Sequence, residues 1–131
     1  MARFYRVSER KTSIFSSLSV TSILILINVV LFLIMLMLNF FSNSNCDLTI
    51  CKYIALKPFN ILQGNYLWTF ITSMFMHAGF FHLFVNMLSL LFIGSLVEKI
   101  LGKRRYFWFY MICGLLAGLF FVLSSMIFPS D

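Results

Sequence analysis

Two imidazoles and a carboxamide, His77, His82 and Asn86, stand at the mouth of a strongly apolar run, and the chain has no other histidine. Polar side chains are unfavourable in a membrane-length helix, so their fixed spacing there calls for a physical reason. Four residues carry an α-helix about 40° past a full turn, whereas five leave about 140° between side chains. His82 and Asn86 therefore share a helix face, and Leu90, Gly94 and Glu98 continue that stripe. His77 points away if the helix already includes it; alternatively, Ala78 and Gly79 permit a turn that leaves it just outside. His82 and Asn86 both donate hydrogen bonds, and donors aimed at one point in a water-poor pocket are what an oxyanion needs. Equally, they could bond neighbouring helices as membrane packing contacts. The spacing is unlike a zinc-protease helix, which sets two His four residues apart with a Glu between them. A third metal ligand is lacking nearby and haem ligation by His82 has no supporting signature, so neither metal nor cofactor is expected.

The elements that carry these groups belong to a membrane. Of 131 residues, 61% are hydrophobic and 11% charged, too little polar surface to cover a soluble core. The net charge of +6 does not indicate nucleic-acid binding, because the basic residues sit in short flanks between apolar runs. Flanking charge of that kind sets membrane orientation.

Three spans are expected, making an all-α polytopic protein. Span 1 covers 18–41, a 24-residue stretch whose polar members are Ser19, Thr21, Ser22, Asn28 and Asn39. At about 1.5 Å per residue it crosses a hydrocarbon core of about 30 Å. It is too long for a cleaved signal peptide and reads as a permanent anchor. Span 2 covers 80–101 and span 3 covers 106–128, joined by a turn at 102–105. Basic residues alternate along this path. Arg3, Arg6, Arg10 and Lys11 lie in the 1–17 leader, Lys52 and Lys57 in the 42–79 loop, and Lys99, Lys103, Arg104 and Arg105 around the turn. The leader and the turn are then expected in the cytoplasm, with the 42–79 loop and Asp131 outside. A prokaryotic cell membrane is the expected location.

From Thr49 to Leu67 the external loop turns amphipathic, with Tyr53, Ile54, Phe59, Leu62 and Tyr66 interrupted by Pro58 and Gly64. It is too apolar for water and too broken to span, so it is expected to lie in the interfacial layer. Cys46 and Cys51 could pair in an oxidising compartment or remain free thiols, whereas Cys113 reads as a small packing residue.

Trp68, Thr72-Ser73-Met74-Phe75, His77-Ala78, His82-Leu83, Asn86-Met87, Gly94 and Glu98 together resemble the rhomboid intramembrane serine proteases. The family's His-x4-His-x3-Asn is met by His77, His82 and Asn86, and its Gly-x3-Glu by Gly94 and Glu98. The resemblance covers about residues 20–128, and Gly114-x3-Gly118 belongs to it too. It implies the first half of a six-helix core, cleaving peptide bonds in transmembrane substrates. It gives His82 and Asn86 the oxyanion side of the catalytic site, and Trp68, His77, Gly94 and Glu98 supporting roles. Gly114 and Gly118 are expected to serve helix packing, which their spacing alone predicts. Many bacterial members carry Arg after this Trp; Thr69 stands there, which leaves open how the external loop is pinned.

Family members use a Ser–His dyad, with the Ser in Gly-x-Ser-Gly on a fourth span and the His on a sixth. Neither occurs within these residues. Ser95, the only Ser directly after a Gly, lies near the far end of span 2, and Ser73 is better placed to bond its own backbone. The expectations are a split protease, a truncated copy, or a pseudoprotease that binds transmembrane helices without cutting them. The first is favoured, because a decayed copy has no reason to keep costly polar groups in a membrane helix. The polar face of span 2 needs cover, from a complementary chain or a second copy, and the remaining expected partners are membrane lipids and transmembrane protein clients.

Overall fold

Backbone groups that leave water must bond within their own segment, and this chain meets that demand with helices. The computed structural model describes residues 18–42 and 53–128. In order they form α1 (Val20–Ser42), α2 (Pro58–Leu62), α3 (Thr69–Thr72) with a 3-10 turn at Ser73–Phe75, α4 (Phe80–Ser89), a π turn at Leu90–Gly94, α5 (Ser95–Leu101) and α6 (Lys103–Ile127). No strand occurs among the described residues. Val20–Leu38, Phe80–Leu101 and Lys103–Ile127 are each long and apolar enough to cross a bilayer. The protein is an integral membrane protein of all-α class. Arg3, Arg6, Arg10, Lys11, Cys46, Cys51, Lys52 and Asp131 lie outside the described residues.

Burial runs opposite to that of a soluble domain. Phe80, Phe81, Phe120 and Ile127 stand among many exposed apolar side chains, while Thr21, Asn28, Thr69 and Glu98 are buried. Apolar groups gain little by leaving lipid, so polar residues share the contacts within the bundle with Leu24, Leu83, Tyr106 and Val122. Thr21, Leu24 and Asn28 form one buried stripe on α1, and that stripe packs on α4, the π turn and α5.

The base of the bundle is a helix terminus capped from another helix. The first N–H groups of an α-helix have no partner within it. In α1, Val20 N–H donates to Glu98 Oε1 at 2.7 Å, while Thr21 N–H and Oγ1–H donate to Glu98 Oε2 at 2.8 and 2.7 Å. Ser19 Oγ accepts from Ser22 N–H at 3.1 Å. A carboxylate at a helix N-terminus is also favoured by the helix dipole. Lys103 Nζ adds a bond to Leu18 O at 2.7 Å, tying the start of α6 to the same end.

The expected turn 102–105 shrinks to one residue. Gly102 adopts φ +78°, a left-handed conformation that reverses the chain without a Cβ penalty, and α6 begins at Lys103, with Lys103–Arg105 as its first turn. The nearest neighbours of Gly114 and Gly118 lie in the 53–79 loop rather than on another span. A Cβ on Gly114 would strike Met74, and one on Gly118 would lie 3.0 Å from Phe70 and 3.3 Å from Leu56. The two glycines admit the loop segment around α3 against α6, a close approach of the same kind but with a different partner. Cys113 is exposed rather than packed.

Bonds from side chain to backbone hold the loop itself. Trp68 Nε1–H donates to Tyr53 O at 2.9 Å, Thr72 Oγ1–H to Ile54 O at 2.7 Å, and Thr69 Oγ1–H to Tyr66 O at 2.7 Å. The Tyr66 ring packs edge-on against both Tyr53 and Trp68. Thr69 therefore pins the loop locally from a buried position, with a hydroxyl rather than a guanidinium.

Candidate functional site

Helix α4 starts at Phe80, so His77 precedes it and Ala78–Gly79 form the turn. That turn folds His77 back towards His82, with ring centroids 5.3 Å apart in an edge-to-face arrangement. Burial, followed by the neighbouring His82, holds His77 below the usual 6.5, against a bond with the Phe75 backbone that acts the other way. Ala78 N–H reaches His82 Nδ1 at 3.5 Å. With Nδ1 accepting, a neutral His82 carries its proton on Nε2, free to donate away from the backbone.

One turn further, Asn86 lines a cavity of about 330 Å³ between the three spans, together with Asn28, His77, Gly94, Tyr106 and Tyr110. Asn28 Oδ1, His77 Nδ1 and Tyr106 Oη are buried side-chain atoms without a hydrogen-bond partner, and all three residues line this cavity. Unpaired buried polar atoms cost free energy, and three of them belong to residues that line this one cavity. His82 is exposed and does not line the cavity, whereas Asn86 is half-buried within it. The two predicted donors share the helix end but not this enclosure.

The π turn explains how span 2 faces α1 along its whole length. Asn86 and Glu98 are twelve residues apart, which in a continuous α-helix leaves them about 120° out of line. A π turn takes up one extra residue and rotates the remainder of the helix back by about 100°, so the two fall within about 20° of each other. Glu98 then reaches Thr21 while Asn86 turns to the cavity shared with Asn28. At Gly94, the end of that turn, a Cβ would come within 2.5 Å of Tyr106 Oη. Gly94 thus admits span 3, and Glu98 ties span 2 to span 1.

Sequence reasoning did not find Asn28 and Tyr106 as cavity residues. The readable signal for Asn28 was its spacing from Thr21: seven residues, or two turns, put both on one face of α1. Nothing in the pattern around Tyr106 distinguishes it from an interfacial aromatic.

A family model described as Rhomboid domain matches residues 64–128. Among curated proteins, the chain is similar to Inactive RHOMBOID-like protein 8 of Arabidopsis thaliana, 36% identical over 70 residues covering 53% of this chain and 20% of that protein. It is similar to RHOMBOID-like protein 1 of the same plant, 40% identical over 78 residues, 56% of this chain and 20% of that protein. Putative rhomboid protease YdcA of Bacillus subtilis (strain 168) is 35% identical over 52 residues, 40% of this chain and 26% of that protein. The chain thus spans about a fifth to a quarter of the length of these relatives. No solved structure matches it.

Proposed function

The chain belongs to the rhomboid family through residues 64–128, and from that premise we propose that it supplies the oxyanion side of an intramembrane serine protease site. The observation that carries this reading is the open end of span 2. There Asn86 meets a largely apolar cavity between the spans that also holds Asn28 and His77, and His82 is left with Nε2–H to donate. A peptide carbonyl attacked by a hydroxyl becomes a tetrahedral oxyanion, and preorganised donors in a water-poor site stabilise it. The nucleophilic Ser and the base His belong to further rhomboid helices, in the same polypeptide or another. Those helices would close over the exposed His82 and bring both donors to one oxygen. Substrates are transmembrane protein segments. By the flanking charge, the Glu98–Lys103 end is cytoplasmic and the His82 end external.

A second reading is favoured by one relative whose name calls it inactive: a rhomboid-like adaptor that holds transmembrane helices without cutting them. The test expresses the chain together with rhomboid helices bearing Gly-x-Ser-Gly and the late His, then follows cleavage of a transmembrane reporter and labelling by a serine-reactive fluorophosphonate. His82→Ala and Asn86→Ala should each lower cleavage by about 10²–10³. Cleavage unchanged in the double variant removes both residues from the site. A folded, unlabelled assembly that still retains the reporter supports the adaptor.

A further inference from the structure

The end of the bundle opposite His82 carries a concentration of charge that the site does not use. Lys99, Lys103, Arg104 and Arg105 are all exposed there, around the single-residue turn at Gly102. Lys103 Nζ bonds Leu18 O at the same rim, and Arg10 and Lys11 lie eight and seven residues before Leu18 in the sequence. The neighbouring carboxylate, Glu98, is buried and engaged by Val20 and Thr21. Among the described residues, none accepts a hydrogen bond from Lys99, Arg104 or Arg105. Arg104 and Arg105 also occupy the first turn of α6, which holds no acidic residue of its own and where the helix dipole disfavours positive charge. Such a rim attracts anions, and it lies immediately outside two apolar spans. We propose that it is a docking surface for anionic phospholipid headgroups, with Arg104 and Arg105 contacting the phosphates bidentately and Lys99 and Lys103 adding charge. The occupant is lipid rather than a soluble anion, because the same molecule places its acyl chains along the exposed Trp108 and Phe109 of the next turn.

The chain provides its own reporter, since Trp108 lies close to the rim and the other tryptophan, Trp68, belongs to the opposite loop. The full chain is titrated in detergent with brominated phosphatidylglycerol or brominated phosphatidylcholine of identical acyl chains. The Trp108 contribution is taken as the difference between the unaltered chain and Trp108→Phe. Quenching of Trp108 should favour phosphatidylglycerol, and each of Arg104→Gln and Arg105→Gln should reduce that preference roughly fivefold. High salt should abolish it in the unaltered chain, a result that stands even where a variant fails to fold. Equal quenching by the two lipids, a preference unchanged in the double Gln variant, or full displacement by inorganic phosphate would overturn the proposal. None of these readouts depends on proteolysis or on membrane orientation.

Discussion

Removing one residue from the middle of span 2 should be nearly harmless, and adding one should not. Phe92 lies in the π turn, is 67% exposed and makes no hydrogen bond through its side chain. Deleting it shortens the Asn86–Glu98 interval from twelve residues to eleven. The turn can then relax to a regular α-helix, because eleven α-helical steps leave the two side chains about 20° apart, as the π turn does now. Glu98 keeps its three bonds to the start of α1. The expected loss is within about 1 kcal/mol, the range of an exposed substitution. Inserting Ala after Phe92 turns Glu98 about 100° away from Thr21. That strands a buried carboxylate and three donors, a change that costs about 3–5 kcal/mol when one partner of a buried charge is lost. Deleting Leu26 from α1, between Thr21 and Asn28, is the control, since α1 is a continuous α-helix with no π turn to absorb it. Hydrogen exchange at the Val20 and Thr21 amides reads the outcome directly, with thermal unfolding in bicelles alongside. Both amides should stay protected in the Phe92 deletion and exchange quickly in the Ala insertion and the Leu26 deletion. If deleting Phe92 exposes those amides as much as the insertion does, the π turn is not what aligns span 2.

Gly94→Ala should destabilise the fold by about 1–3 kcal/mol, because its methyl group meets the Tyr106 hydroxyl. Adding Tyr106→Phe should recover much of that loss, and Tyr106→Phe alone should be neutral or stabilising in thermal unfolding, since the hydroxyl it removes has no partner. The His77 pKa is held below 6.5 in the folded chain, so the unfolded state binds the extra proton first as pH falls. The contribution of His77 is thus complete above about 6.5 and is lost as pH drops from there through the folded value. His77→Gln should flatten the stability–pH curve in that window without changing it above neutrality. Trp68→Phe removes the indole bond to Tyr53 O and should speed proteolytic nicking of the 53–79 loop, while the amides of α5 keep their exchange rates.

Where helix periodicity governs, the sequence is a sufficient guide. Apolar runs of membrane length have one backbone solution, and the ends of span 2 at Phe80 and Leu101 follow from it. The turn before α4 was foreseeable from Ala78 and Gly79, whereas no pattern points from Glu98 to its partners Val20 and Thr21 at the start of α1. Periodicity fails where one extra residue hides inside a helix. Leu90, Leu91, Phe92 and Ile93 are equally apolar on every face, so no pattern betrays the π turn. The same blindness affects Gly114 and Gly118. Four-residue spacing announces that something comes close, but a loop segment such as Phe70–Met74 satisfies it as well as a helix does.

The two ends of span 2 are built to different rules, and the difference separates fold from chemistry. At Glu98 each carboxylate oxygen is used, and the donors it meets are backbone and hydroxyl groups that have nowhere else to bond in lipid. At the histidine end, His77 Nδ1 and Asn28 Oδ1 stay unpaired and His82 is open. A helix with both ends saturated would be more stable, yet on the proposed reading it would have no donor left for a substrate. The satisfied end therefore has to carry the stability that the open end gives up. Glu98→Gln, which weakens the cap, should lower unfolding temperature and any associated activity together. Asn86→Ala, which removes a donor at the cavity, should leave unfolding nearly unchanged while, on the proposed reading, lowering cleavage by about 10²–10³. If Asn86→Ala instead unfolds the chain as readily as Glu98→Gln, the open end is structural and the division fails.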